Sequence, residues 1–321
     1  MTKPIMLIDR PVADVARYAG DAVTVVGPGY EELGSASAVI AGARPWDATL
    51  FDRAPRLRVL SRTGIGVDSV DLAEATRRGV LVTNTPDGPT VSTAEHAVAL
   101  ILATAKTLPD QQERLRLGTG NYSVASTATE LATLTLGLVG FGRIARRVAA
   151  AGRALGMTVV ANDPLVDPEA VGGDAAGVEL VAFDELLGRS DVLSLHCPLL
   201  PSNRGLFDRD TFGRCKPRMI FVNAARGGLV DHDALVEALD AGHIRSAGLD
   251  VTEPEPLPPG HTLLHRSNVI VTPHVAAATE AGRERMLSMA IDQALRALRG
   301  ERPSHLVNPE VWPQRALSRW V

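Results

Sequence analysis

Two doubly wound parallel sheets, one on each side of a mid-chain glycine turn, are the α/β fold that this sequence predicts, and three observations predict it. Short β-rich apolar runs alternate with helical patterns along the whole chain. A strand pattern, a tight glycine turn and a helix pattern follow one another around Gly140. The turn also lies far enough into the 321 residues to leave room for another domain before it.

In the first part, residues 5–8, 22–26, 38–40, 57–60 and 80–83 read as strands, and the helical segments between them imply parallel neighbours. A long helix begins in STAEHAVALILATAKTL, capped by Ser92 or Thr93, with Glu95 in its first turn. Its apolar residues run nearly all round, so burial between domains is expected. Residues 118–129 are small and polar and read as a loop. The strand 134–139 then enters the glycine turn, and Ile144, Val148 and Leu155 follow at helical spacing. Strands at 157–161, 192–195, 219–222, 247–249 and 269–271 build the second sheet, interrupted by the proline-rich loop PEPLPPGH. A helix from about Thr279 to Leu298 leads out of it, and the tail through Asn308, Pro309 and Trp312 returns to the first domain. The expected division is a substrate-binding domain of residues 1–100 plus about 292–321, and a dinucleotide-binding domain of residues 101–291.

Composition limits the function. Hydrophobic content of 45%, charged content of 22% and a net charge of -4 carry no bias toward polyanions, so nucleic acid is not expected as a partner. Cys197 and Cys215 are too few to staple the chain and form no CxxC pair. A reducing compartment and no metal follow from that usage. MTKPIMLIDR runs straight into a strand pattern, and no stretch of about 18 apolar residues occurs. A cytoplasmic protein without membrane contact is expected.

The turn lies in GLVGFGRIARRVA, Gly137 to Ala149. Gly140 permits the tight bend, Gly142 lets a pyrophosphate approach the free amides of the helix start, and Ala145 stands at the third glycine position, where alanine is tolerated. Asp163 follows about 20 residues on, where a ribose hydroxyl is read. Its carboxylate accepts from a free 2′-hydroxyl and repels a 2′-phosphate, and PLVDPE after it holds no arginine, so NAD is expected rather than NADP.

Three strand ends in the second half carry polar groups: Asn223 and Arg226 in FVNAARGG, Asp250 and Glu255 in GLDVTEPEP, and His274 in VTPH. Carboxyl ends of strands face the ligand crevice in an open α/β sheet. Arginine, carboxylate and histidine suit hydride transfer at a 2-hydroxy acid. The arginine forks onto a carboxylate and polarises the carbonyl, the histidine takes the hydroxyl proton, and the glutamate orients the imidazole and raises its pKa.

The ordered set SRTGIGVDSVDL, TNTP, TAEHA, GLVGFGRIAR, HCPLLPSNRGL, VNAARGGLVD, GLDVTEPEP and VTPH resembles the D-isomer-specific 2-hydroxyacid dehydrogenase family, nearest its phosphoglycerate dehydrogenase-like members. The resemblance implies two Rossmann-like domains with the active site in the cleft between them, and a homodimer. It assigns the catalytic arginine, glutamate and histidine to Arg226, Glu255 and His274. It places the substrate carboxylate on the loop of Gly64, Ile65 and Gly66, flanked by Arg62. Arg143 and Ile144 match the pyrophosphate turn, and His196, Pro198 and Asn203 the loop over the adenine-side half. Ala224, Ala225, Asp250, Ala276 and Ala277 match the nicotinamide end, with Asp250 at its carboxamide. Glu95 and His96 are expected to pack between domains, Cys197 to fill space, and His232, His243, His261, His265 and His305 to lie at the surface or cap.

The chain departs from the phosphoglycerate pattern in VIAGARPWDATL, where Arg44 stands displaced from the usual arginine, so the phosphate on the substrate is open. Little follows NPEVW, and no regulatory domain is expected after it. A glyoxylate or hydroxypyruvate reductase, and an NAD-binding sensor or corepressor, share the same motif set.

Overall fold

The computed structural model describes residues 3–11, 16–121, 127–167 and 177–312. Positions 122–126 of the predicted loop, and the end of the tail, lie outside them. The chain divides into two compact units, Met1–Pro89 with Thr279–Val321, and Thr90–Ala278.

The first unit is a five-stranded parallel sheet. Its elements are β1 (Ile5–Ile8), α1 (Ala16–Ala19), β2 (Thr24–Val26), β3 (Ala38–Ala41), α2 (Ala48–Asp52), β4 (Val59–Arg62), α3 (Leu72–Arg77) and β5 (Leu81–Thr83). The strand order is β2-β1-β3-β4-β5, so the order reverses between β1 and β3. Side chains alternate across the pleat: Leu7, Val39 and Leu60 pack with Trp46, Leu50 and Phe51, while Met6, Ile8, Ile40 and Val59 face the opposite layer. Asp47 and Asp71 start α2 and α3 by accepting the amides of Leu50 and Glu74, each at 2.9 Å.

The second unit begins with α4 (Thr90–Ala105) and α5 (Leu108–Arg116). It continues through β6 (Thr135–Val139), α6 (Arg143–Ala154), β7 (Thr158–Asn162), β8 (Glu179–Leu180), α7 (Phe183–Arg189), β9 (Val192–Leu195), α8 (Arg209–Arg214), β10 (Met219–Asn223), α9 (His232–Asp240), β11 (Ile244–Leu249) and β12 (Val269–Val271). These seven strands run parallel in the order β12-β11-β10-β9-β6-β7-β8, that of dinucleotide-binding sheets extended by one strand. Helices α4 and α6 cover one face through Ala97, Leu100, Ile101, Val148 and Ala149, and α7, α8 and α9 the other through Leu186, Phe212 and Leu235. Gly248 admits α4 closely: a Cβ there would stand 3.1 Å from that of Leu100.

α10 (Glu280–Leu298) belongs to the first unit, where Ala290, Ile291 and Ala294 bury against Met6, Ile40 and Leu81. Asn308 ties the returning tail down, accepting from Val82 N and donating to Val80 O. The division predicted at 100/101 and 291/292 falls inside α4 and α10.

Some local expectations change. α4 starts at Thr90, straight after Pro89, whose fixed φ suits helix entry, so Ser92 and Thr93 are buried helix residues rather than caps. α5 buries no side chain and β8 is two residues long. Among the described residues no helix is long and apolar enough to cross a membrane.

Candidate active site

The second sheet reverses its strand order between β6 and β9, and in open α/β sheets ligands bind outside the carboxyl ends at such a reversal. Gly140 leaves β6 with φ +88, and a Cβ on it would sit 2.8 Å from Cys197 N and 2.9 Å from His196 C. Only glycine lets the turn after β6 lie flush on the chain leaving β9. Gly142 is the N-cap of α6 and brings no side chain to its first amides, including Arg143 and Ile144, and space is open where its Cβ would be. Such an end suits a phosphate. Asp163, just past β7, accepts Phe141 N at 2.8 Å and Leu165 N at 2.9 Å, which fixes the carboxylate beside the glycine turn. These residues fit a dinucleotide: a bare helix start for its phosphates and an oriented acid for its ribose.

Across the switch point, Asn203 accepts Leu200 N at 2.7 Å and donates to Pro198 O at 2.9 Å, so one side chain shapes the whole 198–203 loop. His196 meets Ser194 Oγ at 2.9 Å, and burial pushes its imidazole from 6.5 down to about 4. Burial also raises the Cys197 thiol to about 11, as befits a space-filling side chain. The depressed His196 value has a sign: the folded state resists protonation, so its contribution is full above pH 6.5 and is lost as pH falls toward 4. We expect wild type to lose on the order of 3 kcal/mol through this group over that window. Urea melts of wild type and His196→Gln against pH check this, the variant showing the shallower loss.

The three predicted strand ends are neighbours, because β10, β11 and β12 are adjacent. Asn223, fully buried at the end of β10, accepts Ala225 N at 3.0 Å and donates to Arg226 O at 2.9 Å. It thereby folds Ala224, Ala225 and Arg226 into one loop, and Arg226 Nη1 rests on Ala225 O at 2.7 Å. Gly227 packs that loop onto the chain after β11: a Cβ there would collide with the Thr252 backbone. Glu255 lies three residues beyond, and its Oε1 stands 2.5 Å from His274 Nδ1, with both side chains about half exposed.

His274 itself has φ +53, a left-handed conformation that is uncommon for a side-chain-bearing residue. Asp250 maintains it. The Asp250 carbonyl accepts His274 N at 2.7 Å, and its carboxylate accepts Val275 N, Ala276 N (each 2.9 Å) and Thr272 Oγ1 (2.6 Å). Burial raises the carboxyl, but hydrogen bonds from His96, Thr272, Val275 and Ala276 together hold it below the usual carboxylate range. Asp250 is thus the frame of the loop that carries His274, Ala276 and Ala277. His96 joins it, with Nε2 3.1 Å from Thr272 Oγ1 and 3.3 Å from Asp250 Oδ1. Nothing around His96 in the sequence marks this role, since its partners lie more than 150 residues away and on two other elements. His232, expected at the surface or as a cap, is buried at the start of α9, whereas His261 does cap, accepting Leu263 N.

In the first unit, Gly64 has φ +150 and its amide donates to Thr85 Oγ1 at 2.8 Å. The carbonyls of Gly64, Ile65 and Gly66 accept from Thr85 N, Asn84 Nδ2 and Arg62 Nη2. With every carbonyl turned to a donor, the Ile65 and Gly66 amides find no acceptor among the described residues, an arrangement suited to a carboxylate. Thr85 and Asn84, which set it up, sit in TNTP.

The family description "D-isomer specific 2-hydroxyacid dehydrogenase, NAD binding domain" matches residues 98–276. D-3-phosphoglycerate dehydrogenase of Mycobacterium tuberculosis is 39% identical over 317 residues, 96% of this chain and 59% of its own. Glyoxylate reductase of Korarchaeum cryptofilum is 38% identical over 270 residues, covering 83% of this chain and 81% of its own. The crystal structure of Aquifex aeolicus D-lactate dehydrogenase complexed with NAD and lactic acid superposes with a TM-score of 0.83 at 29% identity, over 94% of this chain and 98% of that one. The chain belongs to the D-isomer specific 2-hydroxyacid dehydrogenase family, and its second unit is the NAD binding domain. It spans about six-tenths of the length of the mycobacterial relatives.

Proposed function

We propose that this protein is an NAD-dependent D-2-hydroxyacid dehydrogenase, phosphoglycerate dehydrogenase-like, that works between C2 of a 2-hydroxy acid and the nicotinamide. The observation that carries the proposal is the 2.5 Å contact of Glu255 with His274 at the carboxyl edge of a sheet with the dinucleotide-binding strand order. NAD supplies the hydride acceptor in oxidation and, reduced, the donor in the reverse direction. His274 takes the hydroxyl proton at Nε2 during oxidation and returns it during reduction, because Nδ1 is occupied by Glu255. Glu255 sets the ring orientation. Arg226 forks onto the substrate carboxylate and carbonyl oxygen. The amides of Ile65 and Gly66, with Arg62 behind them, receive the C1 carboxylate. Arg143, Ile144 and Asp163 hold pyrophosphate and ribose, with His196, Pro198 and Asn203 on the adenine side, and Ala224, Ala225, Asp250, Ala276 and Ala277 at the nicotinamide end.

Reduction of a short 2-keto acid such as glyoxylate or hydroxypyruvate is the second reading, favoured by the Korarchaeum relative, which this chain covers over four-fifths of its length. We add a cytoplasmic location, supported by the free thiols Cys197 and Cys215. A homodimer is supported by Leu108, Leu115 and Leu117, exposed along and just after α5. The test is NADH oxidation with a panel of 2-keto acids. We expect turnover with at least one of them and at least about tenfold lower kcat/KM with NADPH, since Asp163 repels a 2′-phosphate. Absence of NADH oxidation with every acid would refute the assignment.

A further inference from the structure

The first sheet has a switch point of its own, between β1 and β3, and none of the roles above uses it. In sheets of this strand order, ligands bind outside the carboxyl ends of the two strands that flank the reversal. Asp9 and Arg10 follow β1 there, Gly42 follows β3, and Thr63 follows the neighbouring β4. Asp9 is nearly buried, its side chain 7% exposed, and it accepts Gly42 N at 2.5 Å and Arg10 Nε at 3.2 Å. Arg10 Nη2 donates to Thr63 Oγ1. The guanidinium is therefore fixed across three strand ends while its side chain stays 40% exposed, and Nη1 has no partner among the described residues.

Gly42 makes this placement possible. A Cβ at that position would stand 2.9 Å from Arg10 Nη2 and 3.1 Å from Asp9 Oδ2, so the space that a side chain on β3 would fill is taken by the side chain from β1. Arg44, two residues further, turns away and lies 4.4 Å above the Tyr30 ring. Thr63 is the residue immediately before Gly64, so Arg10 is anchored next to the loop whose Ile65 and Gly66 amides await a carboxylate.

Resting on the dehydrogenase reading, we infer that Arg10 is the specificity residue for a second anionic group, distal to C2, on the 2-hydroxy or 2-keto acid. A buried carboxylate that holds the Nε side of a guanidinium leaves the outer Nη edge preorganised for an oxyanion. Asp9 also offsets much of the charge, so a singly charged carboxylate matches the site better than a phosphate dianion. The substrate class is therefore a 2-hydroxy or 2-keto dicarboxylic acid, with one carboxylate on the 64–66 loop and the other on Arg10.

The test compares kcat/KM with NADH for pairs of equal carbon number, oxaloacetate against 2-oxobutyrate and 2-oxoglutarate against 2-oxovalerate, with 3-phosphohydroxypyruvate as the phosphate arm. The wild type is expected to prefer one dicarboxylate over its monocarboxylate partner by about 10- to 100-fold, the range of a charged hydrogen bond. Arg10→Ala and Arg10→Gln, the latter retaining a donor for Thr63, are both expected to bring that ratio near one. A ratio near one in the wild type, or a preference unchanged in both variants, would overturn the assignment while leaving the dehydrogenase reading intact. The phosphorylated acid as the preferred substrate, with the same Arg10 dependence, would overturn the dicarboxylate class. No NADH oxidation with any of the five acids would overturn this inference, and the dehydrogenase reading falls with it only if glyoxylate and hydroxypyruvate are refused as well.

Discussion

Replacing His274 by alanine is expected to lower kcat by about 10²- to 10⁴-fold, the usual contribution of a positioned general acid–base, while NADH binding stays within a few-fold of wild type. The expectation follows from geometry. His274 Nδ1 faces Glu255 at 2.5 Å, which leaves Nε2 as the nitrogen for substrate, and the backbone is locked in place by Asp250. Because φ is +53 there, alanine also disturbs the loop, and the two effects need separation. Asparagine tolerates that conformation better than most residues. His274→Asn should therefore preserve the loop and still lose as much turnover as the alanine variant. If His274→Asn instead kept near-wild-type kcat, the proton would have to move elsewhere. Glu255→Gln keeps a hydrogen-bonding side chain beside the ring and is expected to cost less than either His274 change.

The second large effect is expected at Arg226. Arg226→Ala should reduce kcat/KM by about 10²- to 10³-fold or more, the cost of removing a preorganised donor from a developing charge. Arg226→Lys should recover little of it, since an ammonium cannot fork onto a carboxylate and a carbonyl oxygen together. KM and kcat are both expected to change, because in the proposed mechanism the same guanidinium binds the ground state and polarises the reacting carbonyl. Asn223 and Gly227 explain why lysine will not simply adapt: one ties the loop by two hydrogen bonds and the other seats it against Thr252. Steady-state kinetics with saturating NADH decide the matter, and a lysine variant at wild-type efficiency would reduce Arg226 to a point charge.

Much of this was legible from residues alone, for identifiable reasons. The buried parallel strands are short runs of Val, Ile, Leu and Ala, and β9 and β12 fall on the predicted residues. The glycine turn and Asp163 are local signals, separated by one αβ unit. What escaped depends on partners far apart in the chain. His96 meets Thr272 176 positions away, and Arg10 meets Thr63 53 positions away, each pairing made by strand order and not by any motif. α5 escaped for the opposite reason: it buries none of its side chains, so no apolar period announces it. Asp250 shows an intermediate case. Its place after β11 was readable, but not that its carboxylate organises the histidine loop through two amides and a threonine.

The central claim is that the carboxyl edge of the NAD binding domain moves hydride to C2 of one face of a 2-keto acid, with His274 delivering the proton. The most direct measurement is chiral analysis of the product formed from NADH carrying deuterium at both C4 positions and an accepted 2-keto acid. The account predicts a D-2-hydroxy acid carrying deuterium at C2, and none formed by His274→Asn above the uncatalysed background. An L or racemic product, or a product without deuterium at C2, would contradict it.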